Sequence, residues 1–133
     1  MAPRLELHRL TGDKRAGVLA RLIQQLHRDR RRVVVWVADE GRRQILDDYL
    51  WTFEQPAFVP HQVWSPEMGE LDDPVVLLGE PANPNHAEVL VIGDDPPPAD
   101  WARGFAEIHD LLPSGPDGER REAWWRDWEA GSS

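Results

Sequence analysis

The hydrophobic pattern of the chain switches between strand-like and helix-like periods. Apolar and polar residues alternate from Arg4 to Leu10, as in a half-buried strand, and Val33–Val37 form a continuous apolar run, as in a strand covered on both faces. Between them, Lys14–Arg28 carries its apolar residues on one stripe, which predicts an amphipathic helix. A second helix is predicted over 40–50, with Asp39 as its N-cap.

The second half of the chain repeats this alternation. Apolar strands are predicted at Val75–Leu78 and Glu88–Ile92, and the link between them, a tight turn at its Asn-Pro-Asn, is too short for a crossover helix. A short helix capped by Asp100, a strand over 106–112 and a last helix that begins near Asp117 follow. Helices that alternate with buried strands predict a three-layer α/β/α sandwich with a mostly parallel central sheet.

Length and composition narrow the class of protein. The 133 residues suit a single α/β domain over 1–133, and the absence of cysteine excludes disulfides, thiolate zinc sites and thiol catalysis. With 15 basic and 24 acidic residues, the net charge of -9 makes direct binding to nucleic acid phosphates unfavourable. Without an apolar signal sequence or membrane-spanning run, we expect a cytoplasmic protein with no membrane association.

The motifs of common α/β enzymes are missing from the sequence. It contains no G-x-x-x-x-G-K-[ST], no G-x-G-x-x-G after the first strand and no G-x-S-x-G elbow. Its histidines form no H-x-x-x-H pair, and its Asp-Asp pairs are ordinary turn chemistry, although those at 72–73 and 94–95 could hold a cation. We therefore expect a Rossmann-like sandwich without a nucleotide-binding loop, with no catalytic residues, cofactor or metal.

One irregular segment is unusually apolar. Residues 50–64 read LWTFEQPAFVPHQVW, and Pro56 and Pro60 exclude a continuous helix or a central strand. Irregular segments normally run over the surface and are polar. Such a segment exceeds what the core of a 133-residue domain requires and could be a surface for a partner.

The predicted last helix also carries more aromatic surface than its length requires. Four of its side chains lie at i, i+3, i+4 and i+7, and therefore share one face: Arg121, Trp124, Trp125 and Trp128. These tryptophans could dock the helix on the sheet, since a C-terminal helix needs an anchor. Tryptophan and arginine also dominate interface hot spots, so the same face could bind a partner.

These segments resemble a known family. The stretch LWTFEQPAFVPH, followed by PVVLLGEPANPNHAEVLVIGD, resembles the chi subunit of the bacterial DNA polymerase III holoenzyme, whose pattern is L-W-[TS]-[YF]-x-x-x-x-F-[LV]-P-H, then P-[VI]-x-L and N-P-N. The combination of LWT and NPN is most similar to the alphaproteobacterial branch. The resemblance covers nearly the whole chain, and the L-W…F-x-P-H stretch is its most specific part.

The resemblance implies a non-enzymatic accessory subunit. Chi proteins join the clamp-loader complex, through the psi subunit where it exists, to the acidic C-terminal tail of single-stranded-DNA-binding protein. That tail ends in a Pro-Phe carboxylate, which requires an apolar pocket for the ring and a basic group for the carboxylate. DNA would then be reached only indirectly.

The family's motif positions can be carried over to this chain. The tail pocket, formed there by the last strand and the C-terminal helix, maps to Leu112, Arg121 and Trp124, with Trp125 beside Glu122 as the alternative pair if the alignment shifts by one. A second basic residue of the family falls on Asp117, and Arg120 or Arg126 could replace it. The psi-facing segment maps to partly exposed side chains at Trp51, Phe53, Phe58, Pro60 and His61. The alternative within the family is that Trp51 and Phe58 plug the open end of the sheet.

Two other functions compete with this interpretation. One is a nucleotide-binding or hydrolytic domain with a degenerate site near the carboxyl ends of the strands, where α/β sheets bind ligands. The other is direct binding of single-stranded DNA by tryptophan stacking. The missing glycine loop counts against the first, and the net charge of -9 counts against the second.

Overall fold

A six-stranded sheet runs through the part of the chain that the structure describes. The computed structural model describes residues 3–11, 15–52 and 59–131. Its strands are β1 (Arg4–Arg9), β2 (Val33–Trp36), β3 (His61–Val63), β4 (Val75–Leu78), β5 (Val89–Ile92) and β6 (Glu107–Leu112). They lie in the order β1-β6-β5-β2-β4-β3, and every neighbouring pair is parallel.

Helices cover both faces of this sheet. They are α1 (Arg15–Arg28), α2 (Glu40–Thr52), α3 (Ala99–Ala102) and α4 (Pro116–Ala130). The buried side chains of α1 and α2 belong to one hydrophobic core, and those of α3 and α4 belong to a second core on the opposite face. The predicted three-layer α/β/α sandwich is therefore confirmed, with a described sheet that is entirely parallel. None of the described helices is long and apolar enough to cross a bilayer.

Two local predictions differ from the structure. The prediction that residues 50–64 are irregular is wrong for β3. This strand pairs with β4, with His61 opposite Val75, because a proline is tolerated just before a short edge strand. Asp100 is not the cap of α3: the first helical hydrogen bond runs from the Ala102 N–H to the Pro98 oxygen at 3.1 Å. The cap of α2 is confirmed, since the Arg42 N–H donates to Asp39 Oδ2 at 2.8 Å.

The link from β4 to β5 crosses β2 without a helix, as predicted. It contains a tight turn in which the His86 N–H donates to the Asn83 oxygen. The buried Asn85 amide donates to the backbone oxygens of Val33 and Asp73 at 3.2 and 3.0 Å. The Asn-Pro-Asn turn therefore also ties together the amino ends of β2 and β4.

A histidine pair joins the edge strand β1 to β6. His8 Nε2 lies 2.9 Å from His109 Nδ1, the rings stack, and His109 Nε2 lies 2.6 Å from Glu107 Oε2. Burial lowers the pKa of His8 from its ordinary 6.5, the neighbouring His109 lowers it further, and Glu6 and Asp110 oppose the shift. The folded protein therefore favours the neutral His8 ring.

This pair gives the protein a predicted pH dependence. Because the pKa of His8 is lowered in the folded state, its contribution to stability is present above pH 6.5 and is lost as the pH falls below that value. We expect the wild type to lose more free energy of unfolding than His8→Gln between pH 7.5 and 5.5. Urea unfolding at both pH values measures this difference, and equal losses would contradict it.

Candidate functional site

On the aromatic face of α4, two tryptophans pack against the sheet and one stays partly at the surface. Trp125 is fully buried and Trp128 nearly so, whereas Trp124 is only partly buried. The three indoles pack edge to face, with ring centroids 4.8 and 5.2 Å apart, and Trp128 Nε1 donates to the Ala99 oxygen at 2.8 Å. Trp125 and Trp128 therefore anchor α4, and Trp124 is the indole that can offer surface to a ligand.

A buried carboxylate underlies this helix. Asp110, in β6, is fully buried and accepts hydrogen bonds from Arg121 Nε at 2.5 Å and from Trp125 Nε1 at 2.7 Å. Arg15 approaches the same carboxylate from α1, with its Nη2 3.8 Å from Oδ1. Arg121 also donates to the Asp94 backbone oxygen, so that its side chain is only 14% exposed.

The charges of this cluster compensate one another. Burial raises the pKa of Asp110, and Arg121, the Trp125 N–H and Arg15 all oppose that shift. Arg15 also interacts electrostatically with the buried Asp94, so two guanidinium groups and two acidic side chains meet at the carboxyl end of β6. The sequence interpretation missed Asp110 and Arg15, although an acid within the apolar strand EIHDLL is a signal of a buried, partnered charge.

The structure brings the predicted tail-binding residues to one end of β6 but does not expose them equally. Leu112 ends β6 and is buried, like Trp125, so both lie beneath the surface. A cavity of about 280 Å³ lies beyond the end of β6, where Leu10 and Thr11 approach the start of α4. Over the described residues, its lining includes Leu10, Pro113 and Gly118, and none of the four predicted tail residues.

The alternatives within α4 are engaged in ion pairs. Glu122, the acid of the shifted alignment, accepts from Arg9 at 2.6 Å and lies 3.6 Å from Arg126. Arg120 pairs with Asp117, the residue that stands in place of the family's second basic group. The unshifted alignment is therefore the one that pairs a guanidinium with a partly exposed indole.

The predicted psi-facing residues are only partly at the surface. Trp51 is 46% exposed at the end of α2, and Pro60 is partly exposed. The expectation of a partly exposed His61 is wrong: it is 3% exposed, its Nε2 lies 3.2 Å from Asp47 Oδ1, and its ring supports Trp51 at 4.4 Å. Burial in β3 makes His61 a structural residue. Phe53 and Phe58 lie outside the described residues.

Neither Asp-Asp pair forms a cation site in the described ranges, which contain no group of three or more His, Asp or Glu residues able to hold a metal ion. Asp94 instead accepts backbone hydrogen bonds from Ala38 and Asp39 at 3.0 and 3.1 Å. Its carboxylate therefore fixes the turn between β2 and α2.

These features define a parallel three-layer α/β protein whose first βα turn lacks a glycine-rich phosphate loop and whose outer helices present aromatic side chains. The chain matches the family model of the DNA polymerase III chi subunit, HolC, over residues 3–130, and it belongs to this family. The resemblance seen in the sequence is thereby confirmed.

Curated relatives carry the same description. The chain is 37% identical over 78 residues to DNA polymerase III subunit chi of Pseudomonas aeruginosa, a match that covers 58% of this chain and 52% of the relative. It is 31% identical over 75 residues to the probable DNA polymerase III subunit chi of Rickettsia prowazekii, which covers 56% and 44% respectively. The chain thus spans about half the length of the curated relatives it matches.

Proposed function

We propose that this chain is a non-catalytic accessory subunit of the DNA polymerase III clamp-loader complex and bridges it to the acidic tail of single-stranded-DNA-binding protein. The family match over residues 3–130 carries this proposal. The second partner is psi or another clamp-loader subunit, DNA is reached only through the tail-bearing protein, and the location is cytoplasmic.

The α4 surface has the two groups that such a tail requires. Arg121 and Trp124 lie one turn apart on α4, so an indole flanks a guanidinium. A terminal carboxylate would share the Arg121 guanidinium with Asp110. The cavity beyond the end of β6 offers apolar surface from Leu10 and Pro113 for the phenylalanine ring, and Arg9 and Glu119 also line it.

The separation of the two aromatic surfaces supports a bridge. Trp51 extends from α2 near β3, at one edge of the sheet. Trp124 extends from α4, which packs on the opposite face, over β6 near the other edge. Two partners could therefore bind at the same time without competing for surface.

Substitution of each exposed tryptophan separates the two contacts. We expect a fluorescent peptide ending in Asp-Asp-Ile-Pro-Phe to bind with micromolar affinity that falls with salt. Trp124→Ala should weaken binding at least tenfold because it removes the partly exposed indole, whereas Trp51→Ala, a tryptophan removed from the other surface, should leave it unchanged. Fluorescence anisotropy measures both affinities.

Further controls test the role of the peptide's terminal carboxylate, the contact with the clamp loader and the competing function of direct DNA binding. The same peptide with an amidated C-terminus should bind several-fold more weakly. Co-purification with clamp-loader subunits from host extract should be lost in Trp51→Ala and kept in Trp124→Ala. Equal peptide binding by wild type and Trp124→Ala would exclude the α4 surface, and binding of oligo-dT without peptide binding would favour direct DNA contact.

A further inference from the structure

A second cavity lies at the point where the chain direction diverges across the sheet. From β2 the chain runs through α2 to β3 at one edge, and from β5 it runs through α3 to β6 towards the other edge. Val37 and Gly93, which directly follow these two strands, line a cavity of about 270 Å³ between α1 and α2. Parallel α/β sheets bind ligands at such a switch point, outside the carboxyl ends of the strands.

The lining of this cavity combines an apolar interior with two cations. Leu19 and Leu46 contribute aliphatic surface from α1 and α2, and Tyr49 adds an aromatic ring. Arg15 and Arg42 are its charged residues, and no carboxylate among the described residues lines it. The cavity therefore suits an apolar group that carries a negative charge at one side.

The two arginines differ in how firmly they are held. Arg15 Nη1 donates to the Leu111 oxygen at 2.8 Å, which fixes the guanidinium at the carboxyl end of β6. Its Nη2 also lies 3.8 Å from Asp110. Burial lowers the pKa of Arg15, but an arginine stays charged, and a charge in such surroundings attracts anions more strongly than in water. Arg42 is 62% exposed and lies 4.0 Å from Asp95, so it can turn towards a ligand.

The volume of the cavity and its apolar rim indicate that it binds a single side chain. A volume of about 270 Å³ falls just below the range of about 300–1,000 Å³ that small-molecule sites occupy, which disfavours a nucleotide. Ile45, on the rim, is 70% exposed and extends the apolar surface outwards. An apolar hollow with an exposed apolar rim is typical of a pocket for one anchor residue of a protein partner.

We propose that this cavity, the α1–α2 pocket, is a second peptide-binding site, which takes one large apolar side chain of a partner segment together with a carboxylate close to that side chain. It lies on the face of the sheet opposite to α4, and it shares Arg15 with the Asp110 cluster that holds Arg121. Arg15 and Arg42 bind the carboxylate, and Leu19, Leu46 and Tyr49 surround the side chain.

The test uses a minimal probe on the full chain. We expect N-acetyl-L-phenylalanine to cause saturable shifts of the Val37, Leu46 and Gly93 amide signals in ¹⁵N–¹H correlation spectra, at millimolar concentration. N-acetyl-L-phenylalaninamide has the same ring without the carboxylate and should bind at least threefold more weakly. Trp124→Ala should leave both titrations unchanged, which separates this pocket from the tail surface.

Matched variants make the result decisive. Ala16→Phe should fill the pocket and abolish the shifts, whereas Ala123→Phe, also at an exposed helical alanine, should not. Arg42→Gln should weaken binding threefold to tenfold, and Arg120→Gln, which removes another exposed arginine paired with an aspartate, should not. Shifts confined to α4, equal binding of the amide or binding that survives Ala16→Phe would overturn the proposal.

Discussion

Replacement of Asp110 by leucine is expected to lower the free energy of unfolding by about 3–5 kcal/mol. The side chain is fully buried, and leucine would leave Arg121 and the Trp125 N–H without their acceptor. A guanidinium that is only 14% exposed would then have no carboxylate to compensate its charge. Urea unfolding followed by the fluorescence of the buried tryptophans measures the loss.

Asp110→Asn tests how much of this loss of stability comes from removing the negative charge of the carboxylate. The amide keeps an acceptor for Trp125 and Arg121, and burial already raises the pKa of Asp110, which disfavours its ionised form. We therefore expect a smaller loss than in Asp110→Leu. If the two variants were equally unstable, or both within 0.5 kcal/mol of the wild type, as is usual for surface substitutions, the cluster would not have the role assigned to it.

The stability of the wild type relative to Asp110→Asn should depend on pH in a defined direction. Because the pKa of Asp110 is raised above its ordinary 3.8, the folded state takes up a proton at this carboxyl more readily than the unfolded state. The wild type should therefore gain stability relative to the non-titrating Asp110→Asn as the pH falls from 7 towards 4. A change in the opposite direction would mean that the ion pair with Arg121 outweighs burial.

The repeating pattern explains why the strands and helices of this fold could be predicted. Strands such as Val33–Trp36 are continuously apolar because both faces are covered, and this pattern is local. The strand β3 was missed because three residues after a proline carry little periodicity of their own. They become a strand only when β4 supplies the hydrogen-bonding partners.

The candidate surfaces were predictable only in part. Spacing placed Trp124, Trp125 and Trp128 on one face of α4, but only the packing of that helix on the sheet decides that Trp124 stays at the surface. The prediction that His61 is partly exposed was wrong because its burial in an edge strand depends on contacts with α2 and Asp47. The α1–α2 pocket could not be predicted, since its lining comes from segments that are distant in sequence and converge only in the fold.

Gly118 is predicted to be required for the position of α4. A Cβ atom at this residue would overlap the Pro113 backbone oxygen and lie 3.0 Å from its carbonyl carbon. Since backbone atoms cannot move aside as a flexible side chain can, the start of α4 would have to shift away from the end of β6. We expect Gly118→Ala to cost about 1–3 kcal/mol, as overpacking of a well-packed site does.

Gly17→Ala is the control, and we expect it to raise the stability rather than lower it. A Cβ atom there would meet Tyr49 Oη at 3.6 Å, an ordinary contact, and alanine favours a helix over glycine by up to about 0.5–1 kcal/mol. Thermal and urea unfolding of both variants compare them directly. Because Arg121 follows Gly118 on the same helix, a displaced start of α4 should also weaken binding of the Pro-Phe peptide in Gly118→Ala. A Gly118→Ala protein as stable as Gly17→Ala would show that α4 approaches Pro113 less closely than the structure indicates.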